Sequence, residues 1–555
     1  MTPTLSLVLR AQLPLFDPAE SEAPERGWLF EVMAGSFLPM IALLDRLGAD
    51  GVRAPLTLAV CPGLVVLLDD ERVRQGFEQA QLGRIQEGER ALGSLEAPLV
   101  ASARARLEVD REALSTFRRC GRDVAGAWAR LAGEGRLSLI PTASAGALLP
   151  LVASEGVQRA HARSSARAFR ARFGVAVEGV WLPECGWSPG LDRALIEVGA
   201  RYTVVSAGGA SRASARPLLG TWAPLLTPSG LACFGRHEPP GGPLGWAPGE
   251  RSSYLRLGPG EDPTATSWRV YGERGGRAGV ASFLRTSNGA AAIHDPEQAD
   301  AASREHGRRF LAGLSGAAAA VADQRSAGFA EVGRSPSALC AWPAECFGVA
   351  WAEGWGFMEA LLRGGAEGEL GVRLATPVEV LDGRRRCQVA TPDTSSWDEG
   401  GAFGPWVEPS TGWLYRHTRR MEGELLALVE REDLAQDLRD VGGRSGPPRV
   451  SNGVGAKVRG KDGGGALDGL VRRAARLVLR ELMLAQSADL AGMIALGPHA
   501  DRGVERAKRH IGSAGELLGQ IAQGRADRRL VEAIEARGPR LLGLELGDLR
   551  ADAGR

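Results

Sequence analysis

No stretch of this 555-residue chain stays apolar and uncharged for the ~20 residues that a membrane-spanning helix needs. The N-terminus, "MTPTLSLVLRAQLPLF", has no basic segment ahead of its apolar run, which argues against a secretory signal. Neither sign of charge is in surplus: 67 Lys and Arg face 66 Asp and Glu. That balance gives no reason to expect nucleic acid or an anionic membrane as a partner. Cysteine is scarce and scattered, at Cys61, Cys120, Cys185, Cys233, Cys340, Cys346 and Cys387. The number is odd and no two have metal-ligand spacing, so the expectation is reduced thiols, a cytoplasmic location and no bound metal.

What is present is the composition of a soluble globular protein, 44% hydrophobic and 24% charged. The length exceeds one ordinary core, so about two or three domains are expected, unless a large barrel with insertions absorbs most of it. Short apolar runs alternate with helical patterns through the first half. "LSLVL" (Leu5–Leu9), "PLTLAV" (Pro55–Val60), "LSLIPTA" (Leu137–Ala143), "GVWLPE" (Gly179–Glu184) and "YTVVSA" (Tyr202–Ala207) read as buried strands. Between them, Trp28–Leu47, Asp69–Leu131, Val157–Phe173 and Pro189–Val198 read as helices. Repeated strand and helix with apolar strands predict a parallel sheet covered by helices, closed into a barrel at this length.

The pattern breaks from Ala210 to Gly289, where Gly, Pro and Arg dominate, and long loops or an inserted subdomain are expected. A helix resumes at Asp295–Leu314, with Asp295 as N-cap and Pro296 in the first turn. "SALCAWPAE" (Ser337–Glu345) reads as a late barrel strand. Beyond Trp413 the pattern is all helical: Trp413–Leu438, Leu467–Gln486, Asp501–Gln523 and Arg528–Ala536, with a Gly-rich linker at Ser451–Ala466. The glycines of that linker follow no strand and match no phosphate-loop spacing. The expected division is a β/α barrel over 1–410, an insertion over about 208–290, and a helical domain over 411–555.

The segment "GVWLPECGW" carries the candidate chemistry. In a barrel, functional side chains sit at the C-terminal ends of strands, and Glu184 ends one. Trp181 and Trp187 flank it, and Trp faces stack well on the C–H faces of sugars. Taken alone this is weak, because Trp is more often core than sugar platform and a Glu at a strand end is more often a solvated loop residue.

The segment "WLPECGWSPGLDRALIEVGARYTVVS" resembles the nucleophile region of glycoside hydrolase family 57, in particular its α-1,4-glucan branching enzymes. The likeness runs in order through "GWLFEVMAGSFLPMIALLDRL", "HDPEQADAASREHGRRFL", "WPAECFGVAWAEGWGFMEALL", "SSWDEGGAFGPWVEPSTGWLYRH" and "LRELMLAQSADL". The resemblance implies an α/β fold, a (β/α)7-type barrel with an insertion and a C-terminal all-α domain. It implies retaining glycosyl transfer on an α-glucan such as glycogen, amylose or a maltooligosaccharide, with no cofactor. It makes Glu184 the nucleophile and makes Trp28, Trp181, Trp187, Arg236, Trp351, Trp397, Trp413 and Asp489 candidate substrate contacts; Trp246, in the Pro/Gly-rich "GWAPGE", is a further candidate for a glucan groove, with loop packing as the alternative.

A retaining mechanism needs a second carboxylate about 5–5.5 Å from the first. The resemblance puts the family's acid/base Asp at Pro343, which has no side-chain proton to give or take. The departures cluster in the same pocket. A His-x-His pair becomes Arg10 and Gln12, a pocket His becomes Gly146, a His and a Trp become Val349 and Ala350, and an aromatic becomes Leu490. The expectation is a homologue impaired or inactive in catalysis, with Arg10 paired to Glu184 and depressing its pKa. An active transferase or hydrolase with a relocated acid, Glu345 or Glu238, is the alternative. A non-catalytic glucan-binding or scaffold protein is a third reading, and no protein partner is indicated.

Overall fold

The computed structural model describes residues 2–95, 97–239, 242, 244, 284–287, 290–293, 295–325, 328, 335–368, 370–384, 386–398, 400–430, 464–496 and 499–550. Trp246, His294 and residues 451–463 of the expected Gly-rich linker lie outside them, while its last three residues, Gly464–Ala466, begin a helix. Strand β1 (Thr4–Ala11) has all eight residues buried, as a strand covered on both faces must. It runs parallel to β2 (Leu56–Val60) on one side and to the late strand β10 (Ser337–Pro343) on the other. Strand β3 (Leu137–Pro141) extends the sheet beyond β2, and the two-residue β11 (Arg373–Leu374) also pairs with β1.

A second sheet runs parallel through β4 (Gly179–Val180), β5 (Tyr202–Val205) and β7 (Ala232–Gly235). Its far edge is β6 (Leu225–Leu226), antiparallel to β7, followed by β12 (Gln388–Val389). The two sheets meet through single parallel bridges, Thr142 to Trp181 and Arg236 to Leu339, rather than through ladders. A separate hairpin pairs β8 (Leu284–Ser287) with β9 (Ala290–Ile293).

The expected strands at Leu5, Pro55, Leu137, Tyr202 and Ser337 are all strands. Strand β7 was not expected, and it moves residues 232–235 out of the insertion and into the central sheet. Its sequence, "ACFG", is short and small-residue-rich and carries no period to read.

The expected helix at Trp28–Leu47 is Pro24–Val32 followed by Leu38–Ala49, with a π turn, Met33–Phe37, between them. By length and composition this stretch is apolar enough to cross a membrane, but most of it is buried inside the protein. The π turn brings the Gly35 backbone against Gly348, where a Cβ would lie 2.8 Å from the Gly348 oxygen. Ser36 Oγ donates to the Ala344 carbonyl at 2.7 Å from the same turn. These contacts seat the short turn Ala344–Cys346, which carries Glu345.

The C-terminal region is helical, in Gly412–Glu430, Gly464–Ala485, Ala488–Leu496, Ala500–Ala522 and Arg528–Ala536. It docks on the loops that follow β3. His161 Nδ1 meets the Ser144 carbonyl at 2.9 Å and His161 Nε2 meets Gln486 Oε1 at 3.0 Å.

Candidate active site

Five side chains from four parts of the chain converge at the C-terminal ends of the strands. Arg10 comes from β1, and Gln12 follows just past its end. Glu184 lies in the turn Pro183–Cys185 beyond β4, and Glu345 in the matching turn beyond β10. Asp489 comes from the helix Ala488–Leu496. The Glu184 backbone is left-handed, at φ 57 and ψ 26. Cys185, at φ 50, continues the kink. Non-glycine residues pay for that conformation, and here it turns the Glu184 side chain back into the fold, where it is 0% exposed.

The Arg10 guanidinium is the hub. Its NH2 group lies 3.4 Å from Glu345 Oε1, its NH1 group 4.0 Å from Glu184 Oε1, and NH1 donates to the Gln12 carbonyl at 3.2 Å. Gln12 Nε2 donates to Asp489 Oδ2 at 3.2 Å. Glu184 Oε2 accepts from the Trp397 indole Nε1 at 2.6 Å. Arg10 sits beside Pro343 in the β1–β10 register.

One cation serves three buried carboxylates, and the electrostatics follow. Burial pushes Glu184 up to about 7, although Arg10 pulls it down and Asp489 pushes it further up. Burial likewise pushes Glu345 up to about 7 against the pull of Arg10. Asp489 is raised by burial, against Arg10 and the Gln12 hydrogen bond. Burial disfavours the charged form of Arg10, but Glu345, Glu184 and Asp489 outweigh that and hold it above the ordinary arginine range. The expected Arg10–Glu184 pair is therefore formed, but the expected depression of Glu184 is reversed. Removal from water exceeds what one shared guanidinium returns.

The side chains at this centre are packed away from solvent. Arg10, Gln12 and Glu184 are all 0% exposed. A Cβ added at Gly146 would lie 2.6 Å from Gln12 Nε2, so the Gln12 amide stands where a side chain at 146 would begin. Val349, Ala350 and Leu490 are buried, and the Ala350 N–H donates to the Glu345 carbonyl at 2.9 Å. A cavity of about 20 Å³ beside Asp489 and Leu490 is of water size.

With this geometry in place, comparison with known proteins identifies the lineage. Residues 12–239 match the model of glycosyl hydrolase family 57, and residues 462–542 match the C-terminal model of 1,4-alpha-glucan branching enzyme. Residues 12–239 are thus a glycosyl hydrolase family 57 segment. The 1,4-alpha-glucan branching enzyme of Thermococcus kodakarensis is 23% identical, over 96% of this chain and 76% of that protein. A probable 1,4-alpha-glucan branching enzyme of Mycobacterium tuberculosis is 25% identical, over 95% of this chain and 94% of its own length. The crystal structure of the Thermococcus kodakaraensis branching enzyme with glucose superposes with a TM-score of 0.79 at 20% identity, covering 100% of this chain and 97% of that one. The α/β core with parallel sheets and a helical C-terminal region is thus the fold of family 57 branching enzymes.

Within that family fold, the candidate sugar contacts fall into two groups. Trp28, Trp181, Trp187 and Trp351 are buried and present no free ring face. The Trp187 Nε1 group donates to the Pro392 carbonyl at 3.0 Å, and Trp351 packs on His306 and Phe357. Trp397 and Trp413 are partly exposed and pack against the same apolar cluster, which contains Leu148, Phe403 and Leu490. Arg236 is buried, with its Nε donating to the Ala341 carbonyl at 3.0 Å and its NH1 to Glu238 Oε1 at 3.2 Å. Glu238 is thus paired with Arg236 and 41% exposed at its side chain. Of the two candidate substitute acids, Glu345 is the one that shares Arg10 with Glu184.

Sequence reasoning missed the Trp397–Glu184 hydrogen bond and the approach of Asp489 to Gln12. The first joins residues 213 apart and the second residues 477 apart. No local pattern signals either.

Proposed function

We propose that this chain is an α-glucan-handling homologue of the family 57 branching enzymes whose Glu184 site carries out little or no glycosyl transfer. The observation that carries this reading is the Arg10 guanidinium lying between Glu184 and Glu345, with Pro343 beside it. Attack on a sugar needs an accessible carboxylate and a second group to protonate the leaving oxygen. Here the nucleophile position is enclosed and the acid position is an imino acid. Loss of a general acid alone lowers the rate by roughly 10²–10⁴, and catalytic groups act as a unit, so the further replacements deepen the loss. The named substrate of the relatives, 1,4-alpha-glucan, supports glucan as the ligand class. Glycogen, amylose and maltooligosaccharides are the forms to test. The seven cysteines, none of them in a disulfide, support a reducing, cytoplasmic setting.

The test is incubation of the purified chain with amylose, followed by enzymatic debranching and counting of α-1,6 linkages. The expected result is no branching above the blank, unchanged by Glu184→Gln. Branching by the wild type that disappears in Glu184→Gln overturns the reading. Titration with glycogen or maltoheptaose then separates a glucan binder from a scaffold that has lost sugar altogether.

One observation favours a second reading, an active enzyme with Glu345 as relocated acid. Glu184 and Glu345 both sit near a pKa of about 7, so one can hold a proton while the other is ionised at neutral pH. This reading requires Arg10 to leave the space between them.

A further inference from the structure

We infer that Arg236 is a positioning residue that acts on Glu184 through Trp397, rather than a contact for sugar. Trp397 grips Glu184 twice. Its indole Nε1 donates to Glu184 Oε2 at 2.6 Å, and its backbone N–H donates to the Glu184 carbonyl at 2.9 Å. The ring has three supports of its own. Trp181 meets it edge-on at 5.4 Å, Arg236 Cζ lies 4.6 Å from its centroid, and Arg10 Cζ lies 5.9 Å away.

Arg236 is the nearer cation and it is fixed. Hydrogen bonds to Ala341 and Glu238 hold it, the backbone of Arg236 bridges the two sheets at Leu339, and the residue is 4% exposed. A cation over the face of an indole draws on the ring's electron density. In a buried chain of hydrogen bonds, a polarised donor binds its acceptor more strongly. The N–H that faces Glu184 therefore favours the carboxylate over the carboxylic acid. Arg236 and Trp397 together counter the burial that pushes Glu184 the other way.

Glu184 is also faced by Arg10, by Asp489 from the helical region and by Cys185 beside it in the chain, and the charge of Arg236 itself pulls it down through space besides acting through the ring. Glu345 lies beyond Arg10 and Glu238 beyond Arg236. The test is therefore a difference measurement on the full chain. It concerns the ionisation of Glu184 and stands whether or not glucan is turned over. Isotope-edited infrared spectroscopy follows, against pH, the carboxylic C=O band that Glu184→Gln removes. Arg236→Met keeps the length of the side chain and leaves Glu238 to water.

The expected result is a band midpoint about one pH unit higher in Arg236→Met, about a tenfold gain in proton affinity. Trp397→Phe should give a comparable rise, and the double variant should fall short of the sum of the two, since one acts through the other. An unchanged midpoint in Arg236→Met overturns the proposal. So does full additivity, which would mean that Arg236 acts by its bare charge alone. Should Arg236→Met not fold, Arg236→Gln gives the same two readings.

Discussion

Arg10 and Pro343 are direct neighbours in the β1–β10 ladder, and from that position the Arg10 guanidinium reaches Glu345 at 3.4 Å. That strand pair brings one fixed cation to two carboxylates. The chemistry of the site turns on that cation.

Removing the cation should unbalance the cluster. Arg10→Ala removes the cation that Glu184, Glu345 and Asp489 share, leaving only Arg236 to favour the charged form of Glu184. Breaking a buried pair by deleting one partner costs roughly 3–5 kcal/mol, and urea denaturation should show a loss of that order. Adding Glu184→Gln and Glu345→Gln to Arg10→Ala should recover part of it. A loss under about 1 kcal/mol would mean that Arg10 behaves like a surface ion pair.

Stability should depend on pH through the same groups. Glu184 and Glu345 have folded pKa values of about 7 against an ordinary 4.5. Between those values the folded chain keeps protons that the unfolded chain releases. Their contribution is therefore fully present below about pH 4.5 and is lost as pH rises through about 7. A shift of that size is worth at most about 3 kcal/mol per group. Because the two share Arg10, their joint effect is below twice that. Thermal melts from pH 5 to 8 should show the wild type losing more stability than a Glu184→Gln, Glu345→Gln double variant. Parallel curves for the two proteins would contradict the assigned direction.

The framework of this site was legible in the sequence, and its closure was not. Apolar runs marked β1, β2, β3, β5 and β10, whereas of the expected strand Gly179–Glu184 only Gly179–Val180 is strand, and Glu184 reaches the centre from the turn beyond it. The same reading expected replaced positions at Arg10, Gln12, Gly146, Pro343, Val349 and Leu490, and the structure places Arg10 and Gln12 beside Glu184 and Asp489. Three things escaped it. Strand β7 is four residues long and carries no period. The π turn Met33–Phe37 interrupts a helix whose apolar pattern is otherwise unbroken. The pKa of Glu184 is a balance between burial and one shared cation, and a sequence displays neither the depth of a group nor how many acids share an arginine.

Gly146 tests the steric side of the closure. Its φ is +68, and a Cβ there would meet Gln12 Nε2 at 2.6 Å. Gly146→Ala should destabilise the fold by about 1–3 kcal/mol through backbone strain and crowding. Gln12→Ala in the same chain should relieve the crowding and leave the backbone share. Equal destabilisation in the single and double variants would show that Gln12 yields freely.

The most direct measurement separates access from acid loss. An activated α-glucosyl fluoride carries a leaving group that needs no proton, so a carboxylate nucleophile attacks it without a general acid. The chain is incubated with such a reagent, digested, and the peptide holding Glu184 is weighed by mass spectrometry. Because Arg10 and the surrounding side chains enclose Glu184, that peptide should keep its unmodified mass. A glycosyl adduct on Glu184 in the wild type would contradict the account.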